Sequence, residues 1–230
     1  MKTDISIKTI SLYIIIFFFT QNAFCQKPIN VIQSNKLDQV IINDTICQKF
    51  SGNVIIEYLD LKIKSDTILI DEFKTLIKGW GNTHIINDSI NCKTDSVHIK
   101  QFKNQIFFYN NTILKTDSMT IYSNQLEYNY DNQQLQYFSG GTIIMNNQKI
   151  QSQFLIYDIK KRTSIFNKNV HLYDNQYQIY TEEMRQHNDT ISFTGKTLIK
   201  NDKLDINCNH GFLKKSKVLT LSKGVIVNLE

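Results

Sequence analysis

Six polar residues recur in one column along the chain: Asp66, Asp95, Asn124, Gln153, Glu182 and Asn209. Carboxylates and amides at a fixed spacing are the raw material of calcium sites and of paired acid–base catalysis. Calcium-binding repeats need Gly-Asp-rich loops with several oxygen donors per turn, and the sequence has none. Identity that drifts among Asp, Asn, Gln and Glu suits a strand end or a turn instead. The histidines, His84, His98, His171, His187 and His210, lack the i,i+2 or i,i+4 pairing and the Cys/Glu company of a zinc site. After Cys25 come Cys47, Cys92 and Cys208, an odd set without C-x-x-C spacing, best read as small buried hydrophobes, with one incidental bridge of unassigned pairing as the alternative. No nucleophile elbow, P-loop, H-E-x-x-H or Cys–His pattern occurs. The expectation is a chain with no catalytic residue, no metal site and no cofactor.

Composition sets the outer bounds. In 230 residues, 41% are hydrophobic and 20% charged, which is too apolar for a disordered chain. The net charge of +5 is carried almost wholly by dispersed Lys, with Arg only at 162 and 185. Without a basic stripe or a nucleic-acid module, a nucleic-acid partner is excluded. The dispersal also leaves no Lys that can be singled out as a phosphate clamp.

Residues 1–25 read as a secretory signal peptide. Lys2 and Lys8 precede the apolar run Ile10–Phe19, and Ala23-Phe24-Cys25 sets cleavage before Gln26. An uncleaved anchor and lipid modification at Cys25 are the alternatives, the second opposed by bulky Phe24. Residues 26–34 read as a short linker and 35–230 as one domain, and the protein is expected to leave the cytosol.

The elements that must position any site are repeats. A turn-like pair followed by Val or Thr recurs at Val54, Thr83, Thr112, Thr142, Val170, Thr197 and Val225, in steps of 29, 29, 30, 28, 27 and 28. Four residues before each anchor stand Phe50, Gly79, Phe108, Phe138, Phe166, Phe193 and Leu221. A second column, Ile63, Cys92, Ile121, Ile150, Ile179 and Ile206, follows about nine residues after it. Within each unit apolar residues alternate with polar ones at the strand period of two, as at Val54, Ile56 and Tyr58. No amphipathic helix is visible, so the chain is all-β. Units this short must stack and share one core. The glycines Gly52, Gly81, Gly140 and Gly195, two residues before their anchors, mark bends where the chain changes sheet.

Phe50-Ser-Gly-Asn-Val-Ile-Ile56 with Lys64-Ser-Asp66, Ser123-Asn-Gln-Leu-Glu-Tyr128 with Tyr130-Asp-Asn132, Tyr137-Phe-Ser-Gly-Gly-Thr-Ile-Ile144 and Ser152-Gln-Phe-Leu-Ile-Tyr-Asp158 carry a resemblance. The chain is similar to the OstA-like family, which includes the LptA-type periplasmic lipopolysaccharide-transport proteins and the periplasmic domain of LptD. Departures are Asn111, Lys196 and Lys223 at turn positions, and Ser/Thr-Asp in place of Ala-Asp. The resemblance implies an open β-jelly-roll of two facing twisted sheets, built from ~28-residue repeats. It also implies that the acyl chains of lipopolysaccharide lie in an apolar interior, and that folds join through terminal strands, to other Lpt-type envelope proteins or head to tail with themselves. The sequence stops at Glu230 without the strand-rich stretch of an outer-membrane barrel, so a bridge component is expected.

On that reading the inward, lipid-facing columns are Phe50, Val54, Ile56, Ile63, Ile85, Phe108, Ile121, Phe138, Ile144, Ile150, Phe166, Val170, Ile179, Phe193 and Ile206. Val40, Ile42, Val225 and Val227 would form the assembling edges. A secreted β-solenoid, either a carbohydrate-binding or adhesive module or a polysaccharide-degrading enzyme, is the competing reading. It usually shows shorter coils and hexa- or nonapeptide sub-repeats, which are absent. The triplets at Asp44-Thr-Ile46, Asp66-Thr-Ile68, Asp95-Ser-Val97 and Asp189-Thr-Ile191 resemble an O-glycan acceptor pattern, but mostly restate the repeat.

Overall fold

The computed structural model describes residues 28–229, apart from 146, 189 and 215–218. The expected signal peptide and Asp189 lie outside the described residues. The strands are β1 (Ile29–Gln33), β2 (Lys36–Ile42), β3 (Thr45–Tyr58), β4 (Leu61–Asp71), β5 (Leu76–Ile86), β6 (Asn91–Lys100), β7 (Gln105–Lys115), β8 (Met119–Asn129) and β9 (Gln134–Tyr137). They continue as β10 (Gly141–Met145), β11 (Gln148–Ser152), β12 (Phe154–Asp158), β13 (Thr163–Tyr173), β14 (Gln178–His187), β15 (Thr190–Lys200), β16 (Leu204–Lys214), β17 (Leu219–Ser222) and β18 (Ile226–Leu229). Ile29–Gln33, in the segment expected as a linker, is a strand and pairs with the end of β3. Among the described residues no helix is long and apolar enough to cross a membrane.

Every ladder is antiparallel. That separates the fold from a parallel β-helix, in which successive coils stack in parallel. Sequential strands are neighbours where a two- to four-residue turn reverses the chain. Asn43-Asp44 is one such turn, with φ of 47° and 61°, the left-handed pair that matches strand twist. By contrast, β1 and β2, β9 and β10, β11 and β12, and β17 and β18 are successive halves of one bent course and do not pair with each other.

Each odd-numbered long strand is bent in the middle. In β3, Gly52 and Asn53 take φ of 81° and 50°, and the register with β4 slips from Ser51↔Thr67 to Val54↔Ser65. One extra residue makes a β-bulge and re-aims the chain. The bulge recurs at Gly81-Asn82, Asn110-Asn111 and Lys168-Asn169, all with positive φ. Asn reaches this region at lower steric cost than branched residues, which accounts for Asn110 standing where other units use Gly, and for Asn53, Asn82, Asn111 and Asn169 at the next position. The residues before the bends therefore form one leaf of the fold and those after them a second. A spine of bends joins the two leaves, and their apolar faces share a single core from Phe50 to Cys208.

The fourth unit departs from the expected phase. Gly141, not Thr142, pairs with Ser123 as Thr112 does on the neighbouring strand. Counted from Gly141, the steps on either side are 29 residues each, to Thr112 and to Val170. A one-residue slip reverses which side chains face the core. Tyr137, at 1% exposure, takes the inward aromatic place, while Phe138 is 53% exposed and meets Phe154 edge-on outside at 6.1 Å. Ile143 is buried and Ile144 exposed for the same reason. Phe138 and Ile144 thus leave the list of inward residues.

Candidate functional site

The polar column lies on the spine. Asn82 Nδ2 donates to Asp66 Oδ2 at 2.9 Å, and Asn111 Nδ2 donates to Asp95 Oδ2 at 2.8 Å. A Cβ on Gly81 would come within 2.6 Å of Asp66 Oδ2, and one on Gly195 within 2.5 Å of Glu182 Oε2. The column therefore covers the bends, and nothing in it is arranged as a dyad. Beneath it runs a row of hydroxyls that the sequence reading did not single out: Ser65, Thr94, Ser123, Ser152 and Thr181, all buried. Thr94 Oγ1 lies 2.9 Å from the Tyr109 carbonyl and 2.9 Å from Thr112 Oγ1. Ser65 with Thr83 and Thr181 with Thr197 repeat the pair at 3.0 and 2.8 Å. Each bulge frees carbonyls from the ladder, and buried carbonyls need partners. These hydroxyls supply them. Where Gly141 has no hydroxyl, the Tyr137 OH reaches Ser152 Oγ at 2.7 Å and fills the gap.

Of the other sequence-predicted inward residues, Val54, Ile56, Ile63, Ile85, Phe108, Ile121, Ile150, Phe166, Val170, Ile179 and Phe193 are 0–1% exposed, and Phe50 and Ile206 are buried. The two leaves meet again opposite the spine, along a seam formed by their turn-bearing rims. In the N-terminal half the seam is sealed. Tyr130 OH, on the first rim, donates to Asp60 Oδ1 on the second at 2.8 Å, and Asn87 Nδ2 donates to Asp60 Oδ2 at 2.8 Å. Tyr58, Ile90, Met119 and Tyr128 are buried behind this contact. Burial, and the hydrogen bond to Asp60, push the Tyr130 phenol up to about 12.

In the C-terminal half the rims stand apart. A cavity of about 500 Å³ opens between them. Ile179, Ile191, Ile199, Ile206, Leu213 and Leu219 form its apolar wall, with Gln148, Asp174 and Tyr177 on the second rim and Gln186 and Lys214 on the first. Gln186 is 7% exposed and its Oε1 has no partner.

Remaining chemistry-bearing groups are structural. Cys47, Cys92 and Cys208 are free and buried, and burial raises all three thiols, which makes them poor nucleophiles. His171 lies between Tyr173 and Tyr180, with centroids 3.6 and 3.7 Å away, and burial lowers its pKa. Among the described residues no cluster of His, Cys, Asp or Glu could hold a metal ion.

The stack ends in unpaired edges among the described residues. β1 and β2 both pair with β3 alone, and β17 and β18 with β16 alone. Ile42 is exposed and Val40 half-buried on β2; Val227 is exposed on β18, and Val225 lies in the turn just before it. At the N-terminal end, Val31, Leu37, Ile41 and Ile46 share the parity of the core yet are exposed, so the apolar interior is uncovered there.

No curated protein matches the sequence. Among solved structures, LptH, the LptA-homologous periplasmic component of the lipopolysaccharide transport device of Pseudomonas aeruginosa, is similar at 12% identity and a TM-score of 0.42. The match covers 47% of this chain and 80% of that one. The family model for OstA-like proteins matches residues 26–182, well over half of the sequence. With its bent antiparallel repeats and shared apolar interior, this chain belongs to the OstA-like family.

Proposed function

We propose that this chain is a non-enzymatic periplasmic bridge component that holds the acyl chains of lipopolysaccharide between its leaves and passes them toward the outer membrane. The cavity of about 500 Å³ between the rims carries the reading. Its size lies within the range of small-molecule sites, and its wall is branched aliphatic. Each buried methylene stabilises by ~0.8 kcal/mol, so ten of them contribute about 8 kcal/mol toward keeping a lipid out of water. No covalent step is needed.

Membership of the OstA-like family supports the transport role, and the unpaired edges support assembly with Lpt-type envelope proteins or with further copies of the chain. Strand addition to such an edge supplies main-chain hydrogen bonds. Uncovered Val31, Leu37 and Ile41 would let the apolar interior continue into the neighbour. Depleting the protein in its native cell is expected to leave newly made lipopolysaccharide at the inner membrane. Normal arrival at the outer membrane would contradict the role.

A further inference from the structure

Basic residues that are scattered in the sequence are gathered by the fold on one rim beside the cavity. On the first rim the turn joining β12 to β13 presents Lys160, Lys161 and Arg162, all exposed, and Lys214 stands at the end of β16. The only acidic group among the described residues of this part of the rim, Asp158, is occupied. It bonds the Lys161 backbone N–H at 2.9 Å and Lys161 Nζ at 3.1 Å, and those contacts hold its carboxyl below the usual range. Lys160, Arg162 and Lys214 remain displayed. The ladder Thr163↔His187, His187↔Thr190, Thr190↔Lys214 places the two basic positions three strand spacings apart, about 14 Å. The second rim is balanced: Asp174 and Asp202 stand with Lys149 and Lys203, and Lys200 is paired with Asp205 at 2.9 Å. The unpartnered Oε1 of Gln186 belongs to β14 on the first leaf and lines the same cavity.

We infer that the cavity takes an amphiphile with an anionic, phosphate-type headgroup, in one orientation: chain among Ile191, Ile206 and Leu213, headgroup over the first rim at Lys160, Arg162 and Lys214. This rests on the lipid-carrying reading above and adds the sign and side of the headgroup. Three observations converge on it. Guanidinium and ammonium groups on one lip favour phosphate through charge-assisted hydrogen bonds. The other lip, with Asp174 and Asp202 set against Lys149 and Lys203, offers an anion no comparable excess of positive charge. Gln186, an acceptor without a donor, faces the space where the headgroup would join the chain, and a hydroxyl or amide N–H there would satisfy it.

The test uses the whole mature chain and two single-chain probes below their micelle concentrations, dodecyl phosphate and dodecyl maltoside, titrated calorimetrically. The wild-type protein is expected to bind the phosphate at least tenfold more tightly than the neutral probe at low salt. The double variant Lys160→Glu/Arg162→Glu, at exposed turn positions outside the cavity lining, should abolish that preference while leaving dodecyl maltoside unchanged, and Asp202→Asn should strengthen the phosphate two- to threefold. A preference that survives the double variant, or equal binding of both probes by the wild type, overturns the orientation but leaves the apolar cavity standing. Failure of both probes to bind contradicts the lipid reading itself and the orientation with it.

Discussion

The two halves of the molecule are built from the same repeat and differ in how their rims meet. In the N-terminal half Tyr130 ties one rim to Asp60 on the other over buried Tyr58 and Tyr128, and Asn87 holds Asp60 from its own rim. In the C-terminal half Asp174 and Lys214 face each other across open space. The spine is the same in both: Ser65–Thr83 and Thr181–Thr197 make one motif more than a hundred residues apart. Stability and access are therefore assigned to different edges of the fold. The spine and the sealed half hold the leaves together, and the open half is free to carry a ligand.

Truncation should separate the halves most strongly. Phe108→Ala, at 0% exposure in the sealed half, is expected to cost ~3–5 kcal/mol in denaturant unfolding. Leu213→Ala, whose side chain already borders empty space, should cost about 2 kcal/mol, the lower end for such a change. Equal losses would erase the distinction. Glycine replacement gives a smaller contrast on the spine. Gly81→Ala combines φ of +78° with a 2.6 Å clash against Asp66, whereas a Cβ on Gly140 would meet only the Ser152 carbonyl at 3.9 Å. About 2–3 kcal/mol is expected for the first and about 1 for the second.

The smallest effect concerns the seam. Tyr130→Phe should cost ~1 kcal/mol, the net worth of one hydrogen bond, and should speed amide exchange near Asp60 without changing it near Asp174. The same contact has a pH signature. The folded phenol titrates near 12, above the ordinary value of 10, so its neutral form is favoured by folding. Its contribution is complete below pH 10 and is lost as pH rises toward 12. Alkaline destabilisation between those values should shrink in Tyr130→Phe. It should not vanish, because burial also raises Tyr58 and Tyr128.

The period of the units, the bends at their glycines and the inward columns were legible because alternation and repeat spacing are local properties of the chain. Phe138 misled because a Phe stood where the column wanted an aromatic. The irregular step of 30 residues followed by 28 around Thr142 was the signal that the phase had slipped by one. The buried hydroxyl row was also visible, as Ser or Thr directly before each polar residue from Asp66 to Glu182, but its purpose depends on carbonyls that only the bulges release. The seam was out of reach. Asp60 and Tyr130 are 70 residues apart, and Lys160 and Lys214 come to one rim only through the ladders that join β13 to β16. Dispersed in sequence, the lysines gave no hint of a lip.

The central claim is that lipid occupies the gap in the C-terminal half, between the leaves. A photo-activatable phenylalanine analogue placed singly at Leu213, which lines the cavity, and at its neighbour Phe212, which points outward, tests it in living cells. Irradiation is predicted to join lipopolysaccharide to the protein from position 213 and not from 212. Capture from 212 alone, or equally from both, would contradict the account.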